Sequence, residues 1–263
     1  MNHNPELIRL SFFIAVFVLC ACWEWLMPRK VLTQNKINRW LNNLGLIGLN
    51  SLCLSLLMPI LAFEAASWAE MQHIGLFNWL TLPTSIEIII AVIVLDFVIY
   101  AQHVFFHFVP WLWRLHRMHH ADQDIDVTTG TRFHPIEIVL SLWIKIASVL
   151  ILGIDPLAVL IFEILLNASA MFNHSNAKLN LKLDHQLRWF IVTPDMHRVH
   201  HSVIARETHS NFGFFLSWWD RLFDTYRAQP ELGHDEVKIG IPLFRQTREQ
   251  WLDKMLTQPF REK

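Results

Sequence analysis

Eight histidines stand in three clusters along this chain. His103 and His107 form HxxxH; His116, His119 and His120 form HxxHH; His197, His200 and His201 form a second HxxHH. His174 stands alone between the last two clusters. On a helix, residues i, i+3 and i+4 share one face, so each cluster points its imidazoles the same way. Imidazole suits Zn, Cu, Fe and Ni. A closed tetrahedral site takes four ligands and a catalytic one takes three plus water. Eight or nine histidines are too many for one ion and suit two metals sharing a nitrogen-rich cage with open positions.

Other polar residues are placed to support such a cage. Asp96 lies seven residues before His103, two helical turns, and shares its face. A carboxylate in an apolar run is costly and usually functional. Asp96 is expected to receive the second N–H of a ligating histidine and fix its tautomer, the alternative being a structural helix-packing contact. Asp195, two residues before His197, is expected to do the same or to cap a helix. His134 precedes Pro135, which marks the start of a helical arm; it is expected to support the site from behind, with ligation left open. His209, close to the third box, is a further candidate. Trp219 and Asp220 pack the rim of the site or anchor at the interface. His3, His73, His185 and His234 lack partner spacing and are expected to be ordinary surface residues. No GxGxxG, P-loop, HExxH or GxSxG motif is present, nor CxxC or CxxCH. The chain therefore shows no place for NAD, flavin or haem.

The elements that must position these residues are helices in a membrane. Of 263 residues, 53% are apolar and 17% charged, against about 25% charged in ordinary soluble domains, and mean hydropathy is +0.30. The net charge of −1 gives no reason to expect nucleic acid. Cys20, Cys22 and Cys53 lie inside apolar runs and read as small buried residues. The first apolar run, residues 7–27, ends in WEWLMP rather than a small-residue cleavage site, so a retained helix is expected. A second run spans about residues 44–63 and a third residues 86–109. Residues 136–172 are too long for one helix, and Gly153-Ile154-Asp155-Pro156 breaks them into a hairpin. The fold class is all-α: a polytopic membrane protein of about three transmembrane helices plus a helical hairpin, one unit over residues 1–263. The aromatic stretch 212–223 is expected at the membrane interface.

Loop charge orients the chain. Arg29, Lys30, Lys36 and Arg39 follow the first run, whereas residues 64–83 carry no Lys or Arg. The positive-inside rule puts the first loop in the cytoplasm and the second outside. The third helix then returns His103 and His107 to the cytoplasmic side, and the hairpin dips away and back before His174. Every clustered histidine reaches one face. Within the hairpin, Lys145 and Glu163 each lie nine positions from Ile154 in the turn. Antiparallel arms place them at one depth, and a lone charge there costs about 2.5–3.5 kcal/mol. An intramembrane ion pair is expected, the alternatives being that one of them faces a polar cavity leading to the metals or that Lys145 snorkels to an interface.

The segments DFVIYAQHVFFH (96–107), WRLHRMHH (113–120), FHPIE (133–137), NHSN (173–176), TPDMHRVHHS (193–202), NFG (211–213) and WDRLFDT (219–225) resemble the fatty acid hydroxylase superfamily, in its sterol desaturase-like branch. The resemblance covers about residues 90–226. It implies a membrane-bound enzyme that uses O2 and two Fe ions to hydroxylate or desaturate a lipid: a sterol, fatty acyl lipid, ether lipid or carotenoid. It implies His103, His107, His116, His119, His120, His197, His200 and His201 as ligands, with His174 as the family's isolated histidine. Two electrons per O2 would come from a separate electron-transfer protein. A bacterial inner membrane is the expected location, with the endoplasmic reticulum compatible for a eukaryotic chain. The alternatives are a metal-binding membrane transporter, which would hold its ligands near the bilayer midplane, and a zinc-dependent membrane hydrolase, which would need a general-base carboxylate that no box contains.

Overall fold

The computed structural model describes residues 4–262, so His3 lies outside it. The described residues are helical, with isolated bridges such as Pro28 with Ala177 in place of strands. Helix α1 (Pro5–Leu26) starts at Asn4, whose side chain accepts from Glu6 N at 2.9 Å, with Pro5 at the first helical position, where its missing N–H costs nothing. Helix α2 (Lys36–Leu57) starts at Asn35 in the same way. Helices α3 (Ala62–Met71), α4 (Thr84–Phe108) and α5 (Pro110–His120) follow. The hairpin is α6 (Pro135–Leu152) and α7 (Pro156–His174), turning at Gly153 in the left-handed region (φ 66°). Short helices α8 (Leu181–Leu187) and α9 (Pro194–His200) complete the framework.

Five helical stretches are long and apolar enough to cross a membrane, and the chain is a multi-pass membrane protein. On α1, Leu10, Phe12, Ile14, Val18 and Leu19 are exposed, a surface suited to lipid. Two boundaries differ from expectation. The second apolar run is helical from Lys36, so Lys36 and Arg39 belong to α2 rather than to a loop. It then breaks at Met58, which is extended because Pro59 follows and cannot continue the helix. Part of the expected outer loop is α3. Its buried face of Ala62, Ala65, Ala66 and Ala69 lets it pack closely on α6 and α7.

The bundle has two distinct ends. At one, Gly75 lies against the hairpin turn: Leu76 N donates to Ile151 O at 3.2 Å and Asn78 Nδ2 to Gly153 O at 3.3 Å. At the other, the C-terminus of α1 meets that of α7, with Arg29 N on Asn176 O at 2.7 Å and Lys178 N on Met27 O at 2.9 Å. The histidines of α4, α5, α7 and α9 gather at this second end. Glu24 of α1 accepts there from Val127 N and Asn176 N, each at 3.1 Å.

The expected Lys145–Glu163 contact is present, with Nζ to Oε1 2.9 Å, and Arg9 of α1 adds a second cation to the same carboxylate. Arg39 does more than orient the chain. Buried, it bonds Asp122 through two nitrogens at 2.9 and 2.8 Å and also pairs with Asp126. Burial opposes a charge on Asp122, yet Arg39 and Arg132 hold its carboxyl at about 2. This network folds the buried segment 121–132 that follows the second histidine box.

Candidate metal centre

The nine histidines form two adjoining groups. His103, His107, His116, His120 and His200 make one; His119, His174, His197 and His201 make the other. Within each group, one ring nitrogen from every residue lies within 4.8 Å of the rest. All nine are buried, at 0–4% exposure. Helical spacing explains the division. In each HxxHH box the i and i+4 residues share one group and the i+3 residue enters the other. Thus α5 gives His116 and His120 to the first group and His119 to the second; α9 and its C-cap give His197 and His201 to the second and His200 to the first. The groups abut, with the His120 and His201 rings 4.6 Å apart.

Nitrogen protonation can be assigned at several rings. His103 Nδ1 donates to Phe212 O at 2.8 Å, His116 Nδ1 to Glu137 Oε1 at 2.6 Å, His174 Nδ1 to Ala170 O at 2.6 Å and His200 Nδ1 to Ser210 O at 2.7 Å. These acceptors put the proton on Nδ1 and leave Nε2 as a bare lone pair. The Nε2 atoms of His103 and His116 then face each other at 3.1 Å. In the second group, His174 Nε2 lies 3.1 Å from His119 Nε2 and 3.0 Å from His197 Nε2. Facing lone pairs repel unless a cation sits between them. Two nitrogens held at about 2.1 Å from one ion are roughly 3.0–3.4 Å apart for angles between square and tetrahedral. Both ring nitrogens of His107, His120 and His201, and Nε2 of His200, are buried without a hydrogen-bond partner, which native interiors rarely tolerate. The donor set fits two metal ions. Burial and the neighbouring imidazoles hold His119, His120, His197, His200 and His201 well below the usual histidine range, and burial holds His116 at about 3. They are neutral at physiological pH, the form that ligates.

The supporting residues differ from expectation. Asp96 does not take a histidine N–H; it accepts from Phe215 N at 3.3 Å, Leu216 N at 3.1 Å and Trp219 Nε1 at 2.8 Å. Its effect on His103 is indirect, through the loop whose Phe212 carbonyl holds that ring. Asp195 neither supports His197 nor caps α9: it binds Arg29 at 3.1 Å, and Thr193 caps the helix. His134 caps α6 through Nδ1, and its Nε2 meets Leu256 O at 3.2 Å, away from both groups. His209 also lies outside them, its ring 5.4 Å from that of His107. His234 is buried rather than superficial, 3.8 Å from Asp195.

Glu137 was missed, although it closes the FHPIE segment. It stands in the first turn of α6, which starts at His134 and is directed back onto His116. The late motifs also acquire roles. Asn211 adopts a left-handed conformation (φ 53°) that asparagine tolerates. Phe212 packs on His103, His107 and His200 at 5.0–5.5 Å. Asp220 fixes this turn by accepting from Phe212 N at 2.7 Å and Gly213 N at 2.9 Å. A Cβ on Gly213 would lie 2.8 Å from that carboxylate. Gly130 similarly lets segment 121–132 approach α7, since a Cβ there would lie 2.7 Å from Ala170 O, the acceptor of His174.

Comparison with known proteins places this constellation. The fatty acid hydroxylase family model matches residues 88–225. The chain is 25% identical over 182 residues to ornithine lipid hydroxylase of Rhizobium tropici, covering 69% of this chain and 51% of that protein. It is 27% identical over 149 residues to cholesterol 25-hydroxylase of Rattus norvegicus (55% and 48%) and 30% identical over 139 residues to alkylglycerol monooxygenase of Homo sapiens (52% and 29%). The aligned region is thus about half or less of each relative. No solved structure matches the chain significantly.

Proposed function

Because the chain belongs to the fatty acid hydroxylase family, we propose that it is a membrane-embedded, O2-dependent oxidoreductase that hydroxylates or desaturates a lipid, with iron ions in its two histidine groups. The observation that carries the reading is a buried cage in which the bare Nε2 atoms of His103 and His116 face each other at 3.1 Å and that of His174 lies 3.0–3.1 Å from the Nε2 atoms of His197 and His119. Bound iron would supply O2 activation and oxidation of an unactivated C–H bond, with electrons from a separate donor protein. The chain's own residues orient and dry the site. Glu137 and the carbonyls of Phe212, Ala170 and Ser210 fix ring tautomers, and Phe212 and Phe214 pack against the imidazoles to exclude water.

The alkyl part of the substrate is assigned to a groove of about 400 Å³ beside α4 and α6, lined by Phe97, Ala101, Phe105, Phe106, Leu140 and Ile144. Phe106 connects this groove with the cage, its ring 6.0 Å from that of His116. The named relatives act on an ornithine lipid, a sterol and an alkylglycerol; a membrane lipid with an alkyl chain or apolar ring system is the substrate class proposed here.

The test joins metal analysis to product formation with and without O2. Two irons per chain and O2-dependent oxidation of a lipid are expected. His107→Ala should disturb the first group and His119→Ala the second, each lowering iron content and abolishing turnover while the chain stays in the membrane. Undiminished turnover without O2, or full metal content when both histidines are replaced, would overturn the proposal.

A further inference from the structure

A second site abuts the backbone that carries the second histidine group. It is a pocket of about 380 Å³ between the segment joining α1 to α2, the chain after α5 and residues 236–239. Asn176 on its wall is two residues from His174, and Arg198 follows His197. Gly240, next to the lining Ile239, donates to His201 O at 2.9 Å. The pocket is separate from the nine imidazoles, none of which lines it.

Its walls carry Lys30, Arg198, Lys238 and Arg245 against Asp124 and Glu236, an excess of two positive charges (four cations less two carboxylates). Asp124 is occupied by Thr33 N at 2.9 Å and Gln34 N at 2.7 Å. Lys30 and Arg245 donate to backbone carbonyls, which satisfy their protons without neutralising their charge. Arg198 is 1% exposed, yet only weakly partnered. Its Nε is 3.4 Å from Asp195, a carboxylate already bound by Arg29 at 3.1 Å, and its Nη1 is 3.5 Å from Asn176 Oδ1. Arg198 Nη2 and the buried Gln123 Nε2 have no partner. A guanidinium taken from water with an unmet donor and a shared counter-charge is expensive. An anion with several acceptor oxygens in this pocket would offset the excess charge and supply the counter-charge that Arg198 now shares with Arg29, and a guanidinium fork matches phosphate geometry.

We propose that this pocket binds a phosphate group, carried by an anionic lipid headgroup or by a soluble phosphate compound. The excess of two charges suits a phosphate dianion better than a single carboxylate. The volume leaves room for an appended polar group. Lys30 and Thr33 lie in the segment leaving the apolar bundle, the depth at which headgroups sit.

The test uses the purified full chain in a non-ionic detergent, titrated calorimetrically with inorganic phosphate and with short-chain phosphatidic acid at constant ionic strength. Saturable binding of either probe is expected, weakened about tenfold or more by Lys238→Gln with Arg245→Gln, because charge-assisted bonds are lost. Arg198→Gln tests the buried donor; if that variant does not fold, the less buried pair still decides. Displacement of phosphate by phosphatidic acid assigns the site to a headgroup, and binding of phosphate alone assigns it to a soluble compound. Binding of both probes no tighter than chloride, or equal in parent and double variant, overturns the proposal. The readout needs no turnover, so either result leaves the oxygenase reading standing or falling on its own test.

Discussion

Glu137 holds His116 Nδ1 at 2.6 Å and directs the Nε2 of that ring to His103. Carboxylates in this position are worth roughly 10–100-fold in metal affinity or activity. Glu137→Ala should therefore weaken metal retention by about that factor, and Glu137→Gln, which keeps an acceptor oxygen, by less. Competition with a chelator measures both, and equal losses in the two variants would show that the acceptor is unimportant. The histidines were legible in the sequence because ligand spacing is local: i, i+3 and i+4 fix a shared face before any tertiary contact is known. Glu137 was not, since its partner lies 21 residues back on another helix. Asp96 stood out as a carboxylate in an apolar run, but its partners lie 119–123 residues further along, in a loop whose path no periodicity reveals. Asp195 and His209 share the same lesson: closeness in sequence to a histidine box does not aim a side chain into the cage.

Between elements, buried charges and glycines set the packing. Equal distance from the hairpin turn was enough to pair Lys145 with Glu163. Arg9 could not be foreseen, because nothing in the sequence says which face of α1 meets α7. Its presence changes the expected mutational pattern. Lys145→Met leaves Glu163 paired with Arg9, whereas Glu163→Gln strands two cations whose side chains are 14% and 18% exposed. Breaking a buried pair costs about 3–5 kcal/mol, so Glu163→Gln should lower the thermal unfolding midpoint far more than Lys145→Met. The reverse order would rule out the triad as a stabilising unit. At the same end of the hairpin as its turn, a Cβ on Gly75 would lie 2.1 Å from Gly153 N, and Gly75 itself has φ +97°. Gly75→Ala should separate α3 from the α6–α7 turn and destabilise the protein, while metal bound per folded chain stays at the parental level. Metal loss from chains that remain folded would mean that the two ends are coupled. Gly153 and Pro156 made the break between the hairpin arms predictable, whereas the break at Pro59 was hidden inside a run that stays apolar on both sides of it. The helix between residues 62 and 71 was obscured because its buried face is alanine, too weakly apolar to stand out from a loop.

For the whole molecule, the charge pattern and the clustered histidines select the same end. Segment 28–35 and the chain around Lys178 and Lys182 adjoin the histidine cage, while the Lys- and Arg-free stretch 64–83 meets the hairpin turn at the opposite end. The positive-inside rule would place the cage end in the cytoplasm, where a soluble electron donor could reach it. Labelling of single cysteines from either side of sealed vesicles tests this. The native Cys20, Cys22 and Cys53 must first be removed, since Cys22 is exposed. Gln123 lies at the cage end but is 8% exposed and so a poor probe, whereas Val31 at 86% and Leu181 at 69% report the same end. Trp79, 73% exposed, reports the other. Cysteines at positions 31, 181 and 206 should react from the cytoplasmic side only, and a cysteine at position 79 from the opposite side only. Reaction of positions 31 and 206 from different sides would divide the elements that build the cage and end the single-centre arrangement. Reaction of all three from the outer side would keep the centre but invert the chain, and the proposed electron donor would then have to act from outside the cytoplasm.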